Sequence, residues 1–195
     1  MEFLYFMLHK PYGYLCQFTG EPNDLLLGQL HPFPSTVYAV GRLDKDSEGL
    51  LLLTNDNNLK NKILSPEKNH FKTYLVQVEG TITPTAIEQL QNGSININHK
   101  GRIHQVKKAM CVLVDSPKIE ERNPPIRYRA SIPTSWIELS ITEGKNRQVR
   151  KMTAAVGFPT LRLIRTKIGG ISINELPIGK VTQLSKEEAY KALVG

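Results

Sequence analysis

Cysteine is nearly absent: Cys16 and Cys111 are the only two in 195 residues. Each sits alone in an apolar stretch, YLCQF and AMCVLV, the usual setting of a small buried side chain. With no CxxC pair and no Cys/His cluster, the sequence offers neither a disulfide framework nor a structural zinc site, and a reducing cytoplasm is the expected compartment. No apolar run approaches the length that spans a membrane. The opening residues, MEFLYFMLHKP, begin with an acid and lack a basic segment ahead of their short apolar run, so they read as a strand and not as a signal peptide. Repeats and low-complexity tracts are absent too. What is present, 40% hydrophobic and 22% charged residues, is ordinary globular composition. A chain of this length buries roughly 70% of its unfolded surface and needs no staples.

The net charge of +7 is unevenly spread. Residues 1–60 hold 4 Lys/Arg against 7 Asp/Glu, and residues 61–195 hold 21 against 11. Between Lys145 and Lys167 lie Lys145, Arg147, Arg150, Lys151, Arg162, Arg165 and Lys167, with no acid among them. A basic lobe beside an acidic one suits a polyanionic partner. Charge alone leaves a solvated basic face an equal alternative.

Residues 3–9, 14–18 and 36–40 read as strands, separated by the turn Lys10-Pro11-Tyr12-Gly13, a leucine-rich run over 25–30 and the break His31-Pro32-Phe33-Pro34. Leu50–Thr54 is apolar at every position between turn signals, the pattern of a strand buried on both faces. Asp56 is placed to cap a helix over 57–64. Strands follow over 71–78, 109–115 and 136–142, with a helix opening on Pro84 and a long polar loop over 116–132. A helix over 145–156 puts Val149, Met152, Thr153 and Val156 on one face and turns Arg147, Arg150 and Lys151 outward. A strand over 161–168 spaces Arg162, Arg165 and Lys167 near every second residue, and Ser185 caps a last helix over 186–194. Strands and helices mix without βαβ alternation, which predicts an α+β fold with a largely antiparallel sheet. The expected lobes are 1–64 and 65–195, meeting at Ser65–His70, where the charge changes sign.

The most informative stretch is GRLDKDSEGLLLLTND, residues 41–56. Asp44, Asp46 and Glu48 stand at every second position ahead of the buried strand. Simple turn chemistry accounts for such a loop equally well, since Asp, Ser and Gly favour turns. A calcium loop is ruled out: the twelfth position is Asn55 in place of the bidentate Glu, and strands flank the loop where helices are needed. A magnesium cluster for phosphoryl chemistry stays open as an alternative on these residues, although a second, matching acidic site is missing. The expected site holds no metal.

Four ordered motifs then set a resemblance. Gly41-Arg42-Leu43-Asp44 with Asp46-Ser47-Glu48-Gly49-Leu50-Leu51-Leu52-Leu53-Thr54-Asn55-Asp56 resembles the catalytic motif of the RsuA family of pseudouridine synthases. His9-Lys10-Pro11-Tyr12-Gly13 resembles the family's KPxG motif, and Lys72-Thr73-Tyr74 its KxY motif. Residues 141–152, ITEGKNRQVRKM, resemble the EGxxxQVRRM motif. Ser47 stands where Thr is common and keeps the hydroxyl; Lys151 stands where Arg is common and loses bidentate geometry.

This resemblance implies a pseudouridine synthase fold, with two lobes, a mixed sheet and a central catalytic cleft. It implies isomerisation of a uridine in rRNA, 23S rRNA before others, without a cofactor. It also implies a catalytic domain without the small S4-type domain of many relatives, so that RNA binding falls to the basic lobe, in a protein expected to be monomeric. By resemblance Asp44 acts at the sugar, as a nucleophile on C1′ or as a base on C2′. Arg150 is expected to hold Asp44 ionised and aimed; a phosphate contact is its alternative. By resemblance Tyr74 is expected to stack on the extruded uracil and to help remove the C5 proton, with Ile141 as the opposite wall, although core packing explains both positions too. Arg42 is expected to fill the gap left by the flipped base, or else to pair with Asp46. Lys145, Arg147, Lys151, Arg162, Arg165 and Lys167 are expected on phosphates. Lys10 either shapes the floor of the site or simply sits in a turn. The competing functions are a non-catalytic RNA-binding or ribosome-assembly module and a synthase acting on tRNA or 16S rRNA.

Overall fold

The computed structural model describes residues 2–65, 70–126, 129, 131–173 and 176–194. The chain forms two compact units. The first comprises Met1–His70 and Ile164–Gly195, the second Phe71–Leu163. This differs from the expected division at residue 64 into 1–64 and 65–195. Part of that expected boundary, residues 66–69, lies outside the described residues. The returning C-terminal segment joins the first unit through long-range strand pairing, which a local sequence pattern does not encode.

In chain order the first unit begins with β1 (Tyr5–Lys10), β2 (Tyr14–Leu15), β3 (Leu25–Leu26), β4 (Tyr38–Ala39), β5 (Glu48–Thr54) and α1 (Asn57–Leu64). The second contains β6 (Lys72–Glu79), α2 (Pro84–Asn92), β7 (Asn96–His99), β8 (Arg102–Gln105), β9 (Met110–Val114), β10 (Thr134–Ile141) and α3 (Gln148–Ala155). Strand β11 (Thr160–Ile168) carries the unit boundary along its length, and β12 (Ile171–Ser172), β13 (Val181–Leu184) and α4 (Lys186–Tyr190) complete the first unit.

The first unit is built around β5, all seven residues of which are buried. Leu50 and Leu52 pack on one face with Leu59 and Ile63 of α1 and Ala189 of α4. Leu51 and Leu53 pack on the other with Phe6, Leu8, Leu27 and Val37. Side chains of a strand alternate, so four consecutive leucines are the natural solution for a strand covered on both faces. β1 lies antiparallel to β5 along one edge, from Tyr5 opposite Thr54 to Lys10 opposite Gly49, and β13 lies antiparallel to β1. The other edge of β5 is shared: β11 pairs with it in parallel at Glu48 and Gly49, and β4 antiparallel at Leu53 and Thr54.

Asp56 caps α1 as its position predicts, accepting from Asn58 N at 2.9 Å and Leu59 N at 3.1 Å. The same carboxylate accepts from the Tyr5 and Tyr190 hydroxyls at 3.0 and 2.9 Å, tying β1 and α4 to the start of α1. Burial pushes its pKa up, but these four hydrogen bonds outweigh it and hold the group below its ordinary value.

In the second unit, β10 lies antiparallel to β6 over its whole length and to β9 on its other side. β7 and β8 form a separate hairpin, turned at Lys100 and Gly101, both with positive φ. α2 is capped by Thr83 with Pro84 in its first turn, and Gly93 ends it in the left-handed conformation. Cys111 is buried as expected, and burial pushes its thiol up to about 12.

Candidate active site

The loop from Gly41 to Gly49 is fixed at both ends and in its middle. At its end, Gly49 sits at φ +105, where a Cβ would collide with the Arg165 backbone of β11. Only glycine lets the two strands approach this closely. In the middle, Ser47 N–H donates to the Asp44 carbonyl at 3.0 Å, closing a turn around Lys45 and Asp46. At its start, Leu43 N–H donates to Cys16 Sγ at 3.2 Å, and that thiol donates to the Leu43 carbonyl at 3.4 Å. Cys16 is therefore half-buried and engaged with the loop next to Asp44, more than the small buried side chain its flanks suggest.

The KPYG turn supports the same loop. Gly13 N–H donates to the Lys45 carbonyl at 2.8 Å. Lys10 is 0% exposed, and its Nζ donates to the carbonyls of Pro11 at 2.9 Å and Tyr14 at 2.7 Å. Burial draws its pKa down to about 8, against the opposing pull of Cys16, Glu48, Asp46 and Asp44. Lys10 thus does more than sit in a turn: its ammonium pins both sides of the turn that touches the loop, within the field of three carboxylates. Asp44 and Asp46 are half-buried, Ser47 and Glu48 buried, Arg42 exposed.

In the second unit, the register of β6 and β10 places Tyr74 opposite Leu139, and Ile141 opposite Lys72. Leu139 and Ile141 are two residues apart, so Tyr74 and Ile141 lie on the same face as diagonal neighbours. Both are buried, at 8% and 3%. On the opposite face Thr73 and Ser140 share a hydrogen bond of 2.8 Å.

The loop after β10 is held by two side chains absent from the predicted site. Glu143 accepts from Lys107 N–H at 3.0 Å and from Gln148 Nε2 at 2.8 Å, and pairs with His104 at 2.9 Å. Burial pushes the Glu143 pKa up, yet these partners outweigh it and keep the group below its ordinary value. Gln148 in turn accepts from Lys145 N–H at 3.0 Å. Together they bracket residues 144–147. Arg147 stands at the mouth of α3 in the left-handed conformation, φ 52. That is why the helix starts at Gln148 and not at Lys145 as its periodicity predicts. The signal for this bracket was the EGKNRQ spacing itself, with an acid and an amide five residues apart around a short loop.

The cations divide into two groups. Arg147 and Lys167 are exposed, and Lys145 and Lys151 half-buried. Lys151 Nζ donates to the Asn98 carbonyl at 2.7 Å. Burial and the cations Lys145, Lys100 and Lys151 all lower the pKa of His99 on β7, placing these charges around one imidazole. Arg150 is half-buried and reaches the Thr160 carbonyl at 3.4 Å. Arg162 and Arg165 face inward instead, at 5% and 4% exposure. Arg162 Nη1 donates to the Glu120 carbonyl at 2.9 Å, and Arg165 Nε to the Leu50 carbonyl at 2.8 Å. The alternating display of Arg162, Arg165 and Lys167 is not observed, because residues 162–165 of β11 are buried at every position. Among the described residues no three His, Cys, Asp or Glu side chains are grouped to hold a metal, and no helix is long and apolar enough to cross a membrane.

The mixed α+β fold with its large, mostly antiparallel sheet is the pseudouridine synthase fold, as comparison with solved structures and family models shows. A crystal structure of a pseudouridylate synthase superposes with a TM-score of 0.78 at 28% identity, covering 98% of this chain and 74% of that one. The RNA pseudouridylate synthase family model matches residues 4–155. The chain is 44% identical over 179 residues to ribosomal large subunit pseudouridine synthase E of Vibrio vulnificus, spanning 92% of this chain and 74% of the relative. It is 44% identical over 176 residues to the protein of the same name from Xanthomonas campestris pv. campestris, spanning 89% and 91%. Ribosomal small subunit pseudouridine synthase A of Escherichia coli is 34% identical over 94% of this chain. The chain belongs to the RNA pseudouridylate synthase family, and is an isomerase that converts uridine to pseudouridine in RNA.

Proposed function

We propose that the protein isomerises a specific uridine of 23S rRNA, acting as a cytoplasmic monomer. The observation that carries this reading is the Asp44 turn, held by Ser47, Gly13 and Cys16 ahead of a strand buried on both faces. The 44% identity to relatives named for the large ribosomal subunit supports the choice of RNA.

The reaction breaks the N1–C1′ bond, turns the uracil, and joins C5 to C1′. The proton lost from C5 is balanced by one gained at N1, so the product is an isomer and no group donor enters. Asp44 supplies the carboxylate at the sugar, attacking C1′ or taking a proton from C2′. Arg150, assigned by its motif, favours the ionised form of Asp44 and orients it. Extruding the base costs a few kcal/mol, which stacking in the pocket offsets. Tyr74 provides that stacking surface and Ile141 shares its face of the sheet. Arg42, exposed on the loop, takes the place of the flipped base. Lys145, Arg147, Lys151 and Lys167 contact phosphates, which gives affinity but little sequence information.

The test is to incubate the purified protein with transcripts of 23S rRNA, 16S rRNA and tRNA, without cofactor or added metal, and map pseudouridine by chemical modification. Product at one position of the 23S transcript is expected. Product only on another RNA would correct the substrate, and binding without product on any of the three would leave a binding module.

A further inference from the structure

We infer that Arg165 is a positioning residue for the Asp44 loop, not a phosphate contact. The inference rests on the assignment of Asp44 above. The edge of β5 opposite β1 has two short partners with a gap between them: β11 reaches only Glu48 and Gly49, and β4 only Leu53 and Thr54. Carbonyls two residues apart along a strand point the same way, so the Leu50 and Leu52 carbonyls both face this gap. A buried carbonyl left without a donor is costly. Leu52 is served by Val40 N–H at 2.7 Å, and Leu50 by Arg165 Nε at 2.8 Å. The guanidinium thus continues the ladder where the main chain of β11 stops.

This places Arg165 at the stem of the catalytic loop by two independent means. Its backbone packs against Gly49 so closely that a Cβ there is excluded, and its side chain holds the next residue. Gly49 and Leu50 lie five and six residues after Asp44. Any slack in their position is transmitted through the turn closed by Ser47 N–H on the Asp44 carbonyl.

The cost of the arrangement also points to function. Arg165 is 4% exposed, and its Nη2 has no hydrogen-bond partner among the described residues. Burying a cation with a donor unmatched lowers stability. A neutral side chain filling the same space would avoid that cost, so the arginine stands against stability at the stem of the loop.

The experiment compares Arg165→Lys and Asp44→Asn with the unaltered protein, using the 23S rRNA transcript. Arg165→Lys keeps the charge and loses the Nε donor. Single-turnover rate at saturating protein is expected to fall about a hundredfold, with transcript affinity within about twofold and an unchanged salt dependence. The amide of Ser47 is expected to exchange faster with solvent in the variant. An unchanged rate at saturation would overturn the inference. So would weaker binding with a salt slope reduced by about one, the signature of a lost phosphate contact. Should Arg165→Lys fail to fold, the unaltered protein still decides: the Arg165 Nε–H must exchange slowly, and rapid exchange would contradict its bond to Leu50. Full activity in Asp44→Asn would instead reject the assignment of Asp44, leaving the Nε–H result to stand by itself.

Discussion

The two units differ first in charge. The first holds 11 Lys/Arg and 11 Asp/Glu, whereas the second holds 14 Lys/Arg and 7 Asp/Glu and so carries the whole net charge of the chain. They differ next in how their loops are fixed. The Asp44 loop is fixed mainly by backbone and packing, through a glycine contact, a closed turn and a doubly buried strand, with the Cys16 and Arg165 side chains bonded to main-chain groups at its ends. The loop over 144–147 is fixed by side chains, with Glu143 and Gln148 as the bracket. A reacting carboxylate needs placement within a fraction of an ångström. Phosphate contacts tolerate adjustment, because they act through charge more than through exact direction.

Six substitutions test this contrast, in descending order of effect. Gly49→Ala places a Cβ into the Arg165 backbone at a positive φ, and should destabilise the first unit by about 3 kcal/mol or more, read as a lowered thermal midpoint. Glu143→Ala removes a carboxylate with three partners and should cost about 2 kcal/mol, loosening the 144–147 loop and raising the Kd for RNA. Its effect on turnover at saturating RNA should be small.

Asp56→Ala should cost about 1–2 kcal/mol through the lost cap. Because the folded pKa of Asp56 lies below its unfolded value, its contribution is fully present above that unfolded value, near 3.8. It is lost as the pH falls through the folded value. The variant should therefore show a weaker dependence of stability on pH on the acid limb than the unaltered protein. The smallest effects belong to Lys145→Ala, Arg147→Ala and Lys151→Ala. Each should weaken RNA binding by about 1 kcal/mol and reduce the salt slope by about one, without changing the position modified.

Much of the first unit was legible in the sequence because its signals are local. Four leucines in a row announce a strand covered on both faces, and Asp56 announces the helix it caps. By resemblance alone, the motifs pick out Asp44 in this unit and Tyr74 and Arg150 in the second as the candidate site. What escaped was decided by distant segments. Residues 164–195 return to the first unit through the pairing of β13 with β1 and of β11 with β5, which no local pattern records. Arg162 and Arg165 read as surface cations on spacing alone, and their burial follows from β11 being covered at every position there. The start of α3 moved three residues because Arg147 adopts a left-handed conformation that the helical period does not foresee. The hairpin of β7 and β8 went unread, although Ile95 and Ile97 alternate with polar residues ahead of a Lys100-Gly101 turn.

In the proposed reaction the Asp44 carboxylate performs the chemistry while other residues bind the RNA. Asp44→Asn keeps the size of the side chain and removes the charge. Single-turnover conversion of the 23S rRNA transcript by this variant should fall by at least about 10⁴-fold, with the Kd for the transcript unchanged. Conversion at the normal rate by the purified variant would contradict the account.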